Sequence, residues 1–333
     1  MSMQRTAIIG AGGWGTALAV LWSKRGNDII LWGNDPGRAE KLRASRENAE
    51  YLPGVKVPES VRVTSDLGDC VGADLIVFVT PSVAMRPVAT RLCDALASSK
   101  PILLSGTKGI EHGSGMRMSQ ILQEIFPDNT IAVLSGPNLA AEIARGLPTA
   151  AVLGCPDSDC AEELQAYLGS ERFRIYSSDE TIGIELGGAL KNVFAIAAGV
   201  SDGFGLGDNS KAALVTRALA ELLRLGTAMG GNPRTFYGLS GAGDLIATCF
   251  SQHSRNRRVG ERIGRGETLQ QIAAGTHMVA EGVPTSKSGY ECARKLNIET
   301  PIIDQIYSIL HEGKRPDQAL QELLGRDQKA ERA

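Results

Sequence analysis

Residues 10–15 read Gly-Ala-Gly-Gly-Trp-Gly, the spacing G-x-G-x-x-G. The flanks give this turn its meaning. A short apolar run (RTAII, 5–9) precedes it, and a stretch with helical spacing follows it (14–26). A strand that turns sharply, passes a phosphate closely and starts a helix on its own sheet needs glycine at three points. Gly10 permits the turn, Gly12 lets the backbone approach a pyrophosphate, and Gly15 lets the helix pack on the strand. The open N–H groups at the helix start attract phosphate oxygens. Gly10, Gly12, Gly13, Trp14 and Gly15 are therefore expected to cradle a dinucleotide.

Five further Val/Ile/Leu-rich runs continue the pattern, at 28–32, 74–80, 101–105, 130–134 and 149–153. They barely alternate, as suits strands buried on both faces. Helical stretches at 36–46, 83–97 and 158–168 separate them. This alternation predicts a parallel, doubly wound sheet. After residue 178 the apolar spacing becomes helical, at 179–200, 209–230, 269–274, 284–295, 302–312 and 316–324, with Ser177 to Glu180 as N-caps. The expected architecture is α/β: a Rossmann-type domain over 1–178 followed by an all-helical domain over 179–333.

Composition narrows the function. Of 333 residues, 35 are Lys or Arg and 37 Asp or Glu, for a net charge of −2. That balance argues against nucleic acid as the main partner. Glycine, 39 residues, exceeds an average near 7% without periodicity and points to tight turns and close backbone approaches. No uninterrupted apolar run reaches the roughly 18 residues of a membrane span, and the N-terminus does not have the pattern of a signal peptide. The six cysteines form no C-x-x-C pair, so free thiols in a reducing compartment are expected and a zinc site is not.

The second strand leads into Trp32-Gly33-Asn34-Asp35. An acid at that tip holds the adenosine ribose 2′-hydroxyl and repels a 2′-phosphate. Here the tip is neutral, Arg38 is close, and Asp35 is placed to cap the helix that begins at Pro36. NADPH is expected to be accepted at least as well as NADH, with Asn34 at the ribose.

Eight segments, in order, resemble the bacterial NAD(P)-dependent glycerol-3-phosphate dehydrogenases. They are IGAGGWGTALA (9–19), LWGNDP (31–36), GTKGIE (106–111), SGPNLAAEIARGLPTA (135–150), LGGALKNVFAIAAGVSDG (186–203), SGAGDL (240–245), SRNRRVG (254–260) and VAEGVPTSK (279–287). Gly13 stands where the family pattern has Ser, and Asn138-Leu139 where Thr-Phe is common. The resemblance implies reversible reduction of dihydroxyacetone phosphate to sn-glycerol 3-phosphate, the glycerophospholipid precursor, by a cytoplasmic homodimer.

Ketone reduction by hydride needs a proton donor, and the reverse reaction needs the same group as a base. Lys191 lies in an otherwise apolar helical stretch, and the resemblance assigns it this role. Asn192 beside it either orients substrate or anchors the helix. Lys108 follows the strand ending near Ser105, at a carboxyl end of the sheet where ligands bind. Its cation is expected to hold a substrate oxygen, serve the cofactor side, and depress the Lys191 pKa. Asp244 is placed to pair with Lys191. Ser254 is placed to cap a helix, bringing free N–H groups together with the Arg255 guanidinium as a phosphate trap. The resemblance assigns Arg255 and Asn256 to substrate, whereas Arg257 and Arg258 read as surface charge. Gly136 and Asn138, in the loop after the 130–134 strand, are expected at the substrate. By resemblance Ala140, Val279 and Glu281 touch cofactor, as Arg255 does. His112, His253, His277 and His311 occupy no acidic cluster, and no metal is expected. Two other readings fit part of the pattern: a β-hydroxyacid dehydrogenase, and a non-catalytic NAD(P) redox sensor.

Overall fold

The computed structural model describes residues 3–97, 99–275, 280–327 and 330. Among the described residues, eight strands form one sheet: β1 (Arg5–Ile9), β2 (Asp28–Trp32), β3 (Arg62–Thr64), β4 (Leu75–Phe78), β5 (Ile102–Ser105), β6 (Ile131–Ser135), β7 (Thr149–Gly154) and β8 (Phe173–Ser178). Their order is β3-β2-β1-β4-β5-β6-β7-β8. The chain order reverses between β1 and β4, which opens a crevice at their carboxyl ends. The central strands are apolar on both faces. Ile8, Ile29, Leu31 and Val77 pack to one side, and Ala7, Ile9, Ile30 and Phe78 to the other, which explains the unbroken apolar runs.

The six strands read from sequence are present within a few residues at each end. Two others escaped. β3 has three residues, and β8 alternates buried with exposed positions as an edge strand does. The sheet also departs from the all-parallel expectation: β6 and β7 are antiparallel. Their connection stays at the carboxyl end of β6, where Asn138 Nδ2 donates to the Ala150 carbonyl at 3.1 Å, so the chain re-enters from that end.

Among the described residues, six α-helices flank the sheet: α1 (Gly13–Ser23), α2 (Pro36–Ser45), α3 (Met85–Leu96), α4 (Met118–Ile125), α5 (Ala140–Ala144) and α6 (Ser158–Leu168). Eight described α-helices follow it: α7 (Ile182–Gly203), α8 (Gly207–Ala228), α9 (Asp244–Phe250), α10 (Arg255–Gly264), α11 (Leu269–Ala274), α12 (Gly282–Lys295), α13 (Pro301–His311) and α14 (Pro316–Leu324). The expected caps of α7 are corrected. Ser177 and Ser178 end β8, and Glu180 Oε1 accepts from the Gly183 N–H at 2.6 Å. Among the described residues α7 is the one helix long and apolar enough to cross a membrane, but 89% of its apolar window is buried inside the protein. A helix apolar on all sides is stable when neighbours surround it, and α8, α9, α10 and α12 do so.

The closest of these crossings uses glycine on both sides. A Cβ at Gly199 would collide with the Arg257 carbonyl, and one at Gly260 with that of Ile196. Gly203 and Gly264, one turn on in each helix, also leave no room for a Cβ against the facing backbone. Part of the glycine excess is therefore a helix crossing at backbone contact. Gly199→Ala forces α7 and α10 apart and is expected to destabilise the protein by at least about 1–3 kcal/mol, the scale of core overpacking. Thermal unfolding checks this; an unchanged midpoint refutes the contact.

Candidate functional site

The carboxyl ends of β1 and β4 open into a cleft of about 1040 Å³ that also reaches α7, α10 and the start of α12. At its floor lies the glycine turn. Gly10 has φ +126°, and a Cβ there would stand 2.8 Å from the Val79 carbonyl; one at Gly15 would collide with the Gly10 carbonyl. A Cβ at Gly12, by contrast, would meet nothing within 4 Å. Gly12 is also the N-cap of α1 and has no side chain to satisfy the first-turn N–H groups. Open space before free donors fits a pyrophosphate. Trp14 and Ala140 line the same cleft. Asn48, which sequence reading missed, holds the turn from outside: its Nδ2 donates to the Ala11 carbonyl (2.9 Å) and Thr16 Oγ1 (2.7 Å).

At the tip of β2 Asp35 does cap α2, its Oδ1 accepting from the Arg38 N–H at 2.9 Å. Arg38 also lines the cleft. Its guanidinium pairs with Glu50 at 3.2 Å and donates to Tyr51 Oη at 2.6 Å. Asn34 lines the cleft, and its Oδ1 accepts from Arg91 Nη1 at 2.8 Å.

The structure brings Lys108, Lys191 and Asp244 together. A π-helical turn, Leu239–Gly243, leads into α9 and places Asp244 at its first position. Asp244 is 2% exposed. Its Oδ1 accepts from Lys191 Nζ at 2.7 Å and its Oδ2 from Lys108 Nζ at 2.5 Å. Lys108 comes from the sheet and also donates to the Gly136 carbonyl at 3.1 Å. Lys191, on α7, also donates to Thr248 Oγ1 at 2.5 Å. Thr248 was not foreseen; it stands one turn after Asp244 on a helix whose span the sequence did not reveal. Burial lowers the Lys191 pKa to about 8; Asp244 opposes the shift and Lys108 reinforces it. An ammonium that releases its proton near neutrality serves as acid and base.

The corner opposite is built by α10. Ser254 is its N-cap and accepts from the Arg257 N–H at 3.2 Å. Arg255 opens to the cleft, yet surrounding protein thins its water; this desolvation lowers its pKa, with Glu281 and Tyr51 opposing. Among the described residues no carboxylate pairs with it. Asn256 is buried: its Nδ2 donates to Asn192 Oδ1 (2.8 Å) and its Oδ1 accepts from the Gly282 N–H (2.9 Å). Asn192 thus anchors α7 to α10. Arg257 is not the expected surface charge, because its Nε is 2.5 Å from Asp202 Oδ2 in a cluster that includes Lys211. Arg258 is exposed.

Gly136, at φ +145°, lies beside Asn138, whose Oδ1 is buried without a partner. Glu281 joins the two halves of the cleft: Ser82 donates to it from N–H (3.2 Å) and Oγ (2.6 Å), and burial raises its pKa. Val279 and His277 lie outside the described residues. His112 sits 3.1 Å from Glu291, and His311 bonds Ser286 at 2.9 Å. All six cysteines are free.

Residues 5–161 match the family model described as NAD-dependent glycerol-3-phosphate dehydrogenase N-terminus, and residues 180–321 match the corresponding C-terminus. A glycerol-3-phosphate dehydrogenase [NAD(P)+] of Syntrophotalea carbinolica is 47% identical over 97% of this chain and 98% of its own. One of Desulfitobacterium hafniense is 45% identical over 99% of this chain and 93% of its own. Among solved structures, the glycerol-3-phosphate dehydrogenase of Coxiella burnetii superposes with a TM-score of 0.94 at 39% identity, covering 98% of this chain and 100% of its own.

Asp244→Asn removes the carboxylate shared by two largely buried ammonium groups. Breaking a buried ion pair on one side costs about 3–5 kcal/mol, and denaturant unfolding at pH 7 is expected to register a loss of this size. Wild-type stability in the variant counts against the shared pair.

Proposed function

We propose that this chain, which belongs to the NAD-dependent glycerol-3-phosphate dehydrogenase family, interconverts dihydroxyacetone phosphate and sn-glycerol 3-phosphate with NAD(P) as the redox partner. The observation that carries this reading is the Lys191–Asp244–Lys108 cluster in the same cleft as the glycine turn. When bound, the nicotinamide supplies or accepts the hydride.

The chain supplies the rest. Lys191 Nζ gives its proton to the carbonyl oxygen during reduction and takes it from the hydroxyl during oxidation. Asp244 holds that amine in place, and Thr248 fixes it from a second side. Lys108 adds positive charge where the substrate oxygen becomes negative. Ser254, Arg255 and the α10 N-terminus receive the substrate phosphate, with Asn256 beneath them. Gly136 and Asn138 border the substrate. Ala140, Val279 and Glu281 serve the cofactor side, as does Arg255 at the junction of the two. A cytoplasmic homodimer supplying the glycerophospholipid backbone completes this reading, with residues 1–178 holding cofactor and 179–333 holding substrate.

Lys191→Ala is expected to lower kcat by about two orders of magnitude or more, the scale of a lost general acid, while cofactor still binds. Near-normal turnover of dihydroxyacetone phosphate removes Lys191 from the role. The pH profile has a definite sign. Reduction needs the ammonium and declines as pH rises through about 8; oxidation needs the free amine and increases over the same range. Opposite slopes contradict the assignment.

Arg255→Ala is expected to weaken substrate binding by about 1.5–3 kcal/mol, as for a lost charged hydrogen bond. Unphosphorylated dihydroxyacetone should suffer far less. Equal losses for the two ketones exclude Arg255 from the phosphate corner.

A further inference from the structure

In this architecture the group at the tip of the second strand faces the adenosine ribose. Here that group is Asn34, just after β2, and it lines the cleft. Two nearby charges are already occupied: Asp35 caps α2, and Arg38 is tied to Glu50 and Tyr51. A third charge arrives from farther along the chain. Arg91, on α3, donates from Nη1 to Asn34 Oδ1 at 2.8 Å, and its guanidinium carbon stands 5.8 Å from the centre of the Trp32 ring. Among the described residues no carboxylate pairs with Arg91. One of its donors is used by Asn34, leaving the rest of the fork and its full charge exposed to solvent.

The bond also fixes Asn34. A guanidinium only donates, so the amide must turn its oxygen toward Arg91. Its NH₂ group is left as the free donor. A positive fork and an amide donor at one point, with the adjacent Asp35 carboxylate engaged at the start of α2, form the arrangement a phosphate monoester selects.

We propose that Arg91, acting with Asn34, reads the 2′-phosphate of NADPH and sets the cofactor preference of this chain. The inference rests on the cleft being a dinucleotide site. It names a residue 57 positions beyond Asn34 in sequence, on a different helix from the Arg38 that the local sequence suggests.

The test uses the full chain and two probes that share adenosine, adenosine 2′,5′-bisphosphate and 5′-AMP, measured by titration calorimetry. Wild type is expected to bind the bisphosphate about tenfold more tightly or better, the scale of one charge-assisted contact. Arg91→Ala should abolish that advantage and leave 5′-AMP affinity within about twofold, since only the charged contact is lost. In assays, kcat/KM should fall by about tenfold or more for NADPH and hardly change for NADH. Asn34→Asp, which gives Arg91 a carboxylate partner, should shift preference the same way. An unchanged bisphosphate advantage in Arg91→Ala overturns the proposal. Parallel losses with both cofactors also overturn it, because they make Arg91 a structural support. If wild type binds neither probe and turns over neither cofactor, the dinucleotide reading fails, and this inference fails with it.

Discussion

One carboxylate holds the two halves of the cleft in register. Asp244 accepts from Lys108 on the sheet side and from Lys191 on the helical side. Charge matching here is deliberately incomplete: two ammonium groups share one carboxylate, so the cluster keeps a net positive charge. With a second acid, Lys191 would be fully paired and would keep its proton at working pH. Without Asp244, two cations would face each other in a poorly hydrated site, which costs several kcal/mol per uncompensated ion. One acid for two lysines lies between these extremes: burial lowers the Lys191 pKa to about 8, and the shared Asp244 offsets that shift only in part. The remaining positive charge, with Arg255 nearby, suits a phosphate ester that carries between one and two negative charges at neutral pH.

That balance works only if Lys191 cannot drift toward water, and α7 prevents this. At its N-terminal end the buried Glu185 accepts from the Ser119 N–H at 2.8 Å and from Arg117 at 2.5 Å, tying α7 to α4 of the sheet domain. Next to Lys191, the relay Asn192–Asn256–Gly282 ties it to α10 and to the start of α12. Farther on, the glycine crossing brings α10 to backbone contact. The ends and the middle are thus held by three different interactions. The same α10 that is locked by its glycines carries Arg255 at its first turn, so the spacing between Lys191 and Arg255 is set by packing.

What the sequence made legible was local. The glycine turn is recognisable because its glycines all fall within six residues, and the caps of α2 and α10 because an acid or hydroxyl must precede its helix directly. Central strands were readable from two-sided burial. What escaped depends on distant partners. β8 alternates because only one face is covered, and its pattern does not stand out from a loop. Arg257 reads as surface charge until Asp202, 55 residues away, is seen beside it. Thr248 becomes relevant only once α9 is known to start at Asp244, since the i, i+4 spacing has meaning only on a helix.

The departure at position 13 shows how a local irregularity takes its cause from elsewhere in the chain. The family pattern has a hydroxyl side chain there, and this chain has glycine. A Cβ at Gly13 would lie 2.8 Å from the Tyr51 carbonyl. The segment that brings Tyr51 so close is held to the turn by Asn48, through the Ala11 carbonyl and Thr16. It is held to α2 by Tyr51 itself, through Arg38. The missing side chain is thus the steric counterpart of a segment packed directly over the turn. A pyrophosphate held at this turn would meet the backbone N–H groups at the start of α1, which no side chain caps. Because that segment is anchored to Arg38, the glycine turn and the start of α2 share one support. Arg38 thus holds that segment, while the guanidinium that meets Asn34 at the tip of β2 is that of Arg91 on α3.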